Sequence, residues 1–150
     1  MQTSSVLAQA HYNQRIVADM AVVKNTPLTP LTYEQVCNET LDSLSEYFEE
    51  LVESAPHLKA ADVSCSDGVL TVQFGQPYGT YVINRQIPNL QIWLSSPTSG
   101  PKRYDFHEGR WVYRHDGVSL HELLNKEISK IVKQEVHFLN CAYSGKNPDQ

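Results

Sequence analysis

Apolar side chains recur at Tyr33, Val36, Thr40, Leu44, Tyr47, Phe48 and Leu51. That three-and-four spacing lines one stripe of an amphipathic α-helix. Thr32, with Gln35 three residues on, gives a capping-box start, and Pro56 stops the helix just past Ser54. From Ala61 the period changes to two. Asp62–Cys65 and Val69–Phe74 flank Asp67-Gly68 and read as a tight hairpin. Four more short strands follow over 80–86, 91–96, 102–107 and 110–114. Pro88-Asn89, the loop from Pro97 to Pro101, and Glu108-Gly109 separate them. Beyond Gly117, Ser119 and Glu122 give a second capping-box signal, and Leu120, Leu123, Leu124, Ile128, Ile131 and Val132 form a second helical stripe. Val136–Tyr143 is apolar enough to pack back onto the domain, and the chain from Ser144 is expected to fray.

The order is helix, about six strands with hairpin-length links, helix. This predicts an α+β fold: a two-layer sandwich, two helices packed on one face of an antiparallel sheet of about six strands. At 150 residues the chain is one domain with room for a core. The expected division is a flexible N-terminal tail over 1–30, the domain over 31–146, and a frayed end over 147–150. The lead has Arg15 and Lys24 as its only cations and no continuous apolar core of a secretory signal. No apolar run approaches the length of a membrane-spanning helix.

With both helices on one sheet face, alternation sorts the strand residues. Val82, Ile92, Leu94, Tyr104, Phe106 and Val112 go to the covered side, and Asn84, Gln86, Gln91, Trp93 and Arg103 to the open side. A Trp among Asn, Gln and Arg has the composition of a protein–protein anchor patch. Alternation leaves open whether Trp111 shares that face, because its strand is short.

Charge changes the picture of the first helix. It carries seven carboxylates (Glu34, Glu39, Asp42, Glu46, Glu49, Glu50, Glu53) and no Lys or Arg. At ~100° per residue, those from Glu39 to Glu53 fall within an arc of roughly 100°, opposite the apolar stripe. The net charge is −5, so the rest of the chain is slightly cationic. A charge run of this kind is ordinarily a solvated face. The functional reading is cation binding: carboxylates three and four apart can share a hard cation such as iron, manganese, calcium or magnesium. Such a ridge, open to water and without His, makes several weak sites and no closed cage. His57, His115 and His121 are not spaced with the acids in a ligand motif. A bundle-type di-iron centre is disfavoured, because it needs Glu-x-x-His and acids from several helices. Nucleic-acid binding is disfavoured by the acidic helix and the missing RNP-type motifs. Cys37, Cys65 and Cys141 lack CxxC spacing and read as reduced, structural thiols.

The block NRQIPNLQIWLSSPTSGPKRYDF (84–106), followed by WVYRHDGVSLHELL (111–124), resembles the frataxin family of the animal mitochondrial kind. The resemblance spans about Tyr33 to Lys146. It implies a protein of the mitochondrial matrix that supports iron–sulfur cluster assembly. Such a protein binds iron (Fe2+/Fe3+) weakly, and binds and stimulates the complex of cysteine desulfurase and the iron–sulfur scaffold protein. The main role so implied is non-enzymatic, that of an iron chaperone and activator. The alternative is a ferroxidase that oxidises Fe(II) and stores iron on oligomerisation, from a protein otherwise monomeric. Carried over by position, the metal-binding ridge falls on Glu34, Glu39, Asp42, Glu46, Glu49, Glu50, Glu53 and Asp62. The partner-binding surface falls on Asn84, Gln86, Gln91, Trp93 and Arg103. Ala60 stands where animal members commonly have an acid, and Leu90 where a Lys is common. No nucleic-acid or membrane partner is expected, and the chain reads as a processed or truncated mature form.

Overall fold

A computed structural model describes residues 28–146. The tail expected over 1–27 and the frayed end over 147–150 lie outside the described residues. Helix α1 spans Pro30–Glu53, six strands follow as β1 Asp62–Ser66, β2 Val69–Gly75, β3 Gly79–Gln86, β4 Gln91–Ser96, β5 Gly100–His107 and β6 Arg110–Tyr113, and helix α2 spans Leu120–Val132. The strands form one antiparallel sheet in sequence order. The expected α+β sandwich is therefore the observed architecture.

Helix α1 starts earlier than the Thr32 cap implied. Thr29 is the N-cap and Pro30 opens the helix, where its fixed φ and missing amide proton are tolerated. Thr32 is the reciprocal partner: its amide donates to Thr29 Oγ1 at 3.2 Å, and the Thr29 amide donates back to Thr32 Oγ1 at 2.8 Å. At α2, Ser119 is the cap, with its Oγ accepting from the Glu122 amide at 3.0 Å. The Glu122 carboxylate pairs with Arg110 at 3.3 Å instead of completing a capping box.

The core lies between the helices and one sheet face. Val36, Leu41, Leu44 and Phe48 of α1, and Leu120, Leu124 and Ile128 of α2, meet Leu70, Val72, Ile83, Ile92 and Tyr104. The pairing corrects two assignments made by alternation, Val82 and Val112, and settles the face of Trp111, which alternation left open. Tyr81 and Ile83 are buried, so Val82 between them belongs to the open face, in register with Thr71 and Ser95. Val112 pairs with Asp105 and also lies on the open side. Trp111 pairs with Phe106 and is fully buried in the core. Its Nε1 donates to the buried Thr40 hydroxyl at 3.0 Å.

The segment after α2 packs back as expected, burying Val136, Phe138 and Tyr143. The Phe138 ring meets those of Tyr47 and Phe48 at 4.8 and 5.0 Å. Ser144, expected to begin the frayed end, is buried and bridges to Arg110. Of the three thiols, which are free, Cys37 is buried and Cys141 partly so. Burial pushes both thiols up to about 11. Cys65 departs from the expected structural role, because it is exposed on edge strand β1.

Candidate functional site

Alternating burial along α1 follows from its 3.6-residue period and leaves the acids outward. Glu34, Asp42, Glu46, Glu49, Glu50 and Glu53 are exposed, and so is Asp62 at the start of β1. Glu39 differs, being half-buried. Its Oε2 accepts from the Tyr143 hydroxyl at 2.9 Å, and its Oε1 from Gln35 Nε2 at 3.3 Å. Glu34 lies 3.9 Å from Arg85 Nη1. Among the described residues, no three His, Cys, Asp or Glu side chains converge to hold a metal ion. The ridge is thus a line of separate oxygen donors in water. Such donors fit hard cations that keep part of their hydration shell.

The ridge carries a cost in helix stability. Glu49, Glu50 and Glu53 crowd the C-terminal end of α1, whose last turn has no basic residue. There each opposes the macrodipole, and i,i+4 acids repel one another. Glu49→Lys or Glu53→Lys is expected to stabilise the fold by roughly 0.3–1 kcal/mol and raise the melting temperature. An unchanged or lower melting temperature would remove the case for strain in this helix.

The open face is built from cross-strand rows. One row runs Ser66, Val69, Asn84, Trp93, Arg103, and the next Gln86, Gln91, Asp105, Val112. The five residues expected there do share this face. Trp93 is held on two sides: its Nε1 donates to Gln91 Oε1 at 2.9 Å, and the Arg103 guanidinium lies 4.6 Å from its ring centroid. Gln91 Nε2 in turn donates to Asp105 Oδ1 at 3.1 Å. Because a carboxylate only accepts, the Gln91 amide has one orientation, with its oxygen toward the indole. Asn84 pairs in register with Trp93, and its Nδ2 donates to the Arg85 carbonyl at 3.3 Å.

One hydroxyl ties α1 to the strands that carry the open face. Tyr33 on α1 accepts from the Gln86 amide at 2.9 Å and donates to the Gln91 carbonyl at 2.6 Å. Burial is the largest cause that pushes its phenol well above the ordinary tyrosine range. The hydroxyl therefore stays protonated and keeps the donor that this bridge requires.

Sequence reasoning missed four participants. Asp105 was readable, since it lies two residues beyond Arg103 on the same face. Arg114, whose Nε donates to Asp105 Oδ2 at 2.9 Å, stood at the end of the expected strand 110–114 but lies just past the end of β6. Arg85 shares its sheet face with the buried Ile83, yet its guanidinium turns to Asn38 Oδ1 at 2.8 Å. Tyr143 reaches Glu39 from a long way along the chain. Leu90 closes the short turn Ile87–Asn89 in a left-handed conformation, φ 53, with its side chain packed against the core.

A frataxin-like domain model matches residues 26–134. The mitochondrial frataxin homolog of Drosophila melanogaster is 57% identical over 136 residues, covering 87% of this chain and 71% of that one. The chain belongs to the frataxin family. The mitochondrial frataxin of Caenorhabditis elegans is 53% identical, covering 69% of this chain and 76% of that one. Among solved structures, trimeric frataxin from Saccharomyces cerevisiae complexed with ferrous iron is 39% identical. It aligns with a TM-score of 0.59 over 76% of this chain and 98% of that one. The frataxin relatives are named mitochondrial, and this member is a mitochondrial protein with them. No helix among the described residues is long and apolar enough to cross a membrane.

Proposed function

We propose that the chain is an accessory protein of iron–sulfur cluster assembly in the mitochondrial matrix. It binds iron weakly along Glu34, Glu39, Asp42, Glu46, Glu49, Glu50, Glu53 and Asp62. It docks on the cysteine desulfurase–scaffold complex through Asn84, Gln86, Gln91, Trp93 and Arg103, and stimulates sulfur transfer there. The observation that carries this reading is the pre-ordered Trp93, fixed by Gln91 below and Arg103 above on an otherwise open sheet face. An anchor already in one rotamer loses little conformational freedom on docking. The acidic face of α1 adds electrostatic attraction for a partner with a basic surface.

Trp93→Ala tests the docking half. Loss of a central aromatic anchor weakens an interface by about 2 kcal/mol or more, roughly thirtyfold. Stimulation of the desulfurase–scaffold complex should fall accordingly, with the fold intact by circular dichroism. Undiminished stimulation would sink the docking claim. For the ridge, Fe(II) titrated into the 15N-labelled chain should broaden amide signals along α1 and at Asp62, and broadening elsewhere would reject the site.

A second reading is favoured by one relative, the yeast frataxin described as trimeric and complexed with ferrous iron. On that reading the chain is a ferroxidase that stores iron as it oligomerises. Multiple-turnover oxidation of Fe(II), lost on ridge substitution and accompanied by iron-dependent growth in particle size, would favour it over the accessory role.

A further inference from the structure

Strand β6 pairs with only part of β5. The register covers Tyr104–His107, and the chain then turns, with the Gly117 amide donating to the Tyr113 carbonyl at 2.8 Å. The outer edge of β5 at Pro101, Lys102 and Arg103 is left beside an open hollow of about 600 Å3. Among the described residues, no strand or loop backbone pairs with it from that side. An unpaired strand edge is a template for an added strand.

The charges around the hollow select what could be added. Lys102 and Arg103 are successive, so they leave β5 on opposite faces and flank its free edge. Arg103 lies over the Trp93 ring, and the Lys102 ammonium sits 4.2 Å from the Tyr113 ring centroid. Both side chains are ordered in this way before any ligand arrives. The one carboxylate in the wall of the hollow is Asp105. Both of its oxygens are engaged, Oδ1 by Gln91 and Oδ2 by Arg114. Asp105 thus neutralises Arg114. Neither Lys102 nor Arg103 is ion-paired among the described residues.

We propose that the β5 edge binds an extended segment of a partner protein carrying two adjacent acidic residues. The segment lies as a short strand beside Pro101, Lys102 and Arg103. One carboxylate meets Arg103 on the open face, and its neighbour meets Lys102 on the helix-covered face. Acids separated by one residue would fall on the same face and reach only one of the two cations. Pro101 has no amide proton to offer, so the added strand stays short. The inference rests on the docking reading only through Trp93 and Arg103, which belong to both. Lys102 belongs to the edge alone.

The test uses the full, 15N-labelled chain and three short blocked peptides. The first carries adjacent Asp-Glu between valines, the second has one residue inserted between the acids, and the third replaces them by Asn-Gln. The chain carries a net charge of −5, so unspecific electrostatics disfavours an acidic ligand. The expected result is amide shifts at Lys102–Asp105 and Tyr113–His115, with a shift of the Trp93 Nε1 proton. The adjacent-acid peptide should bind most tightly. Lys102→Gln, still giving a dispersed spectrum, should weaken it on the order of tenfold or more. Scattered shifts, equal binding of the Asn-Gln peptide, or undiminished binding by Lys102→Gln would overturn the proposal. So would tighter competition by a single-stranded oligonucleotide, since the site would then read phosphate. If Trp93→Ala abolishes stimulation of the assembly complex while the wild-type chain ignores the acidic peptide, the edge site is rejected and the docking reading stands.

Discussion

Trp111→Ala is expected to lower the free energy of unfolding by about 4 kcal/mol, the middle of the range for truncating a buried aromatic. Trp111 is fully buried. Its indole meets the Tyr33 ring edge-on at 6.2 Å and the Phe106 ring at 5.0 Å. The Nε1–H···Oγ1 bond to Thr40 ties β6 to α1, and the Thr40 hydroxyl in turn donates a hydrogen bond to the Val36 carbonyl at 2.7 Å. Alanine would leave a cavity where helix and sheet meet, and would strip Tyr33 of a packing partner. A domain of this size has about 5–15 kcal/mol in total, so the variant should unfold at much lower urea. Trp111→Phe keeps most of the ring and isolates the lost hydrogen bond, with an expected cost of about 1–3 kcal/mol. Urea titration measures both. A loss below about 1 kcal/mol for the alanine variant would be too small for a packed aromatic and would reject this account of the core.

Acidification below neutral pH is expected to destabilise the fold through His121 by about 3 kcal/mol in total. The side chain is fully buried, and burial holds its pKa down at about 4. Its Nε2 lies 3.1 Å from the Ala142 carbonyl and must donate to it, which leaves Nδ1 unprotonated and without a partner. The unfolded chain titrates near 6.5 and therefore binds more protons than the folded chain between that value and about 4. The stability is fully present above the unfolded value, is lost as pH falls through this window, and levels off below it. Near pH 5 the loss should be about 2 kcal/mol. His121→Gln removes the titrating group and keeps a donor, so the fall in stability between neutral pH and about pH 5 should shrink by that amount. An equally steep fall in the variant would show that other groups govern acid stability. NMR should find the imidazole still neutral well below its ordinary pKa.

Much of the candidate site was legible because its signals are local. Carboxylates at three- and four-residue spacing define a helix face wherever that helix lies. The row Asn84, Trp93, Arg103 follows from counting alternate residues along strands bounded by Pro and Gly. Alternation failed where a strand's phase was not anchored by a buried neighbour. Val82 was placed with the core although Asn84, two residues on, was placed on the open face, and a strand cannot do both. Val112 and Trp111 stand on a four-residue strand too short to show its own phase, which pairing with β5 sets.

The sequence by itself determined the order of elements, the two-layer class, the acidic face of α1 and the open-face row around Trp93. Each depends on a period that a single segment carries alone. Only the tertiary structure decided which groups satisfy one another across the fold. Tyr143 is brought to Glu39, the Tyr33 hydroxyl to the β3 and β4 backbones, and both oxygens of Asp105 are engaged, while Lys102 and Arg103 lie against aromatic rings with no carboxylate partner among the described residues. Register explains the difference. A one-residue slip between strands exchanges the faces of every side chain, and that choice is made by partners far along the chain.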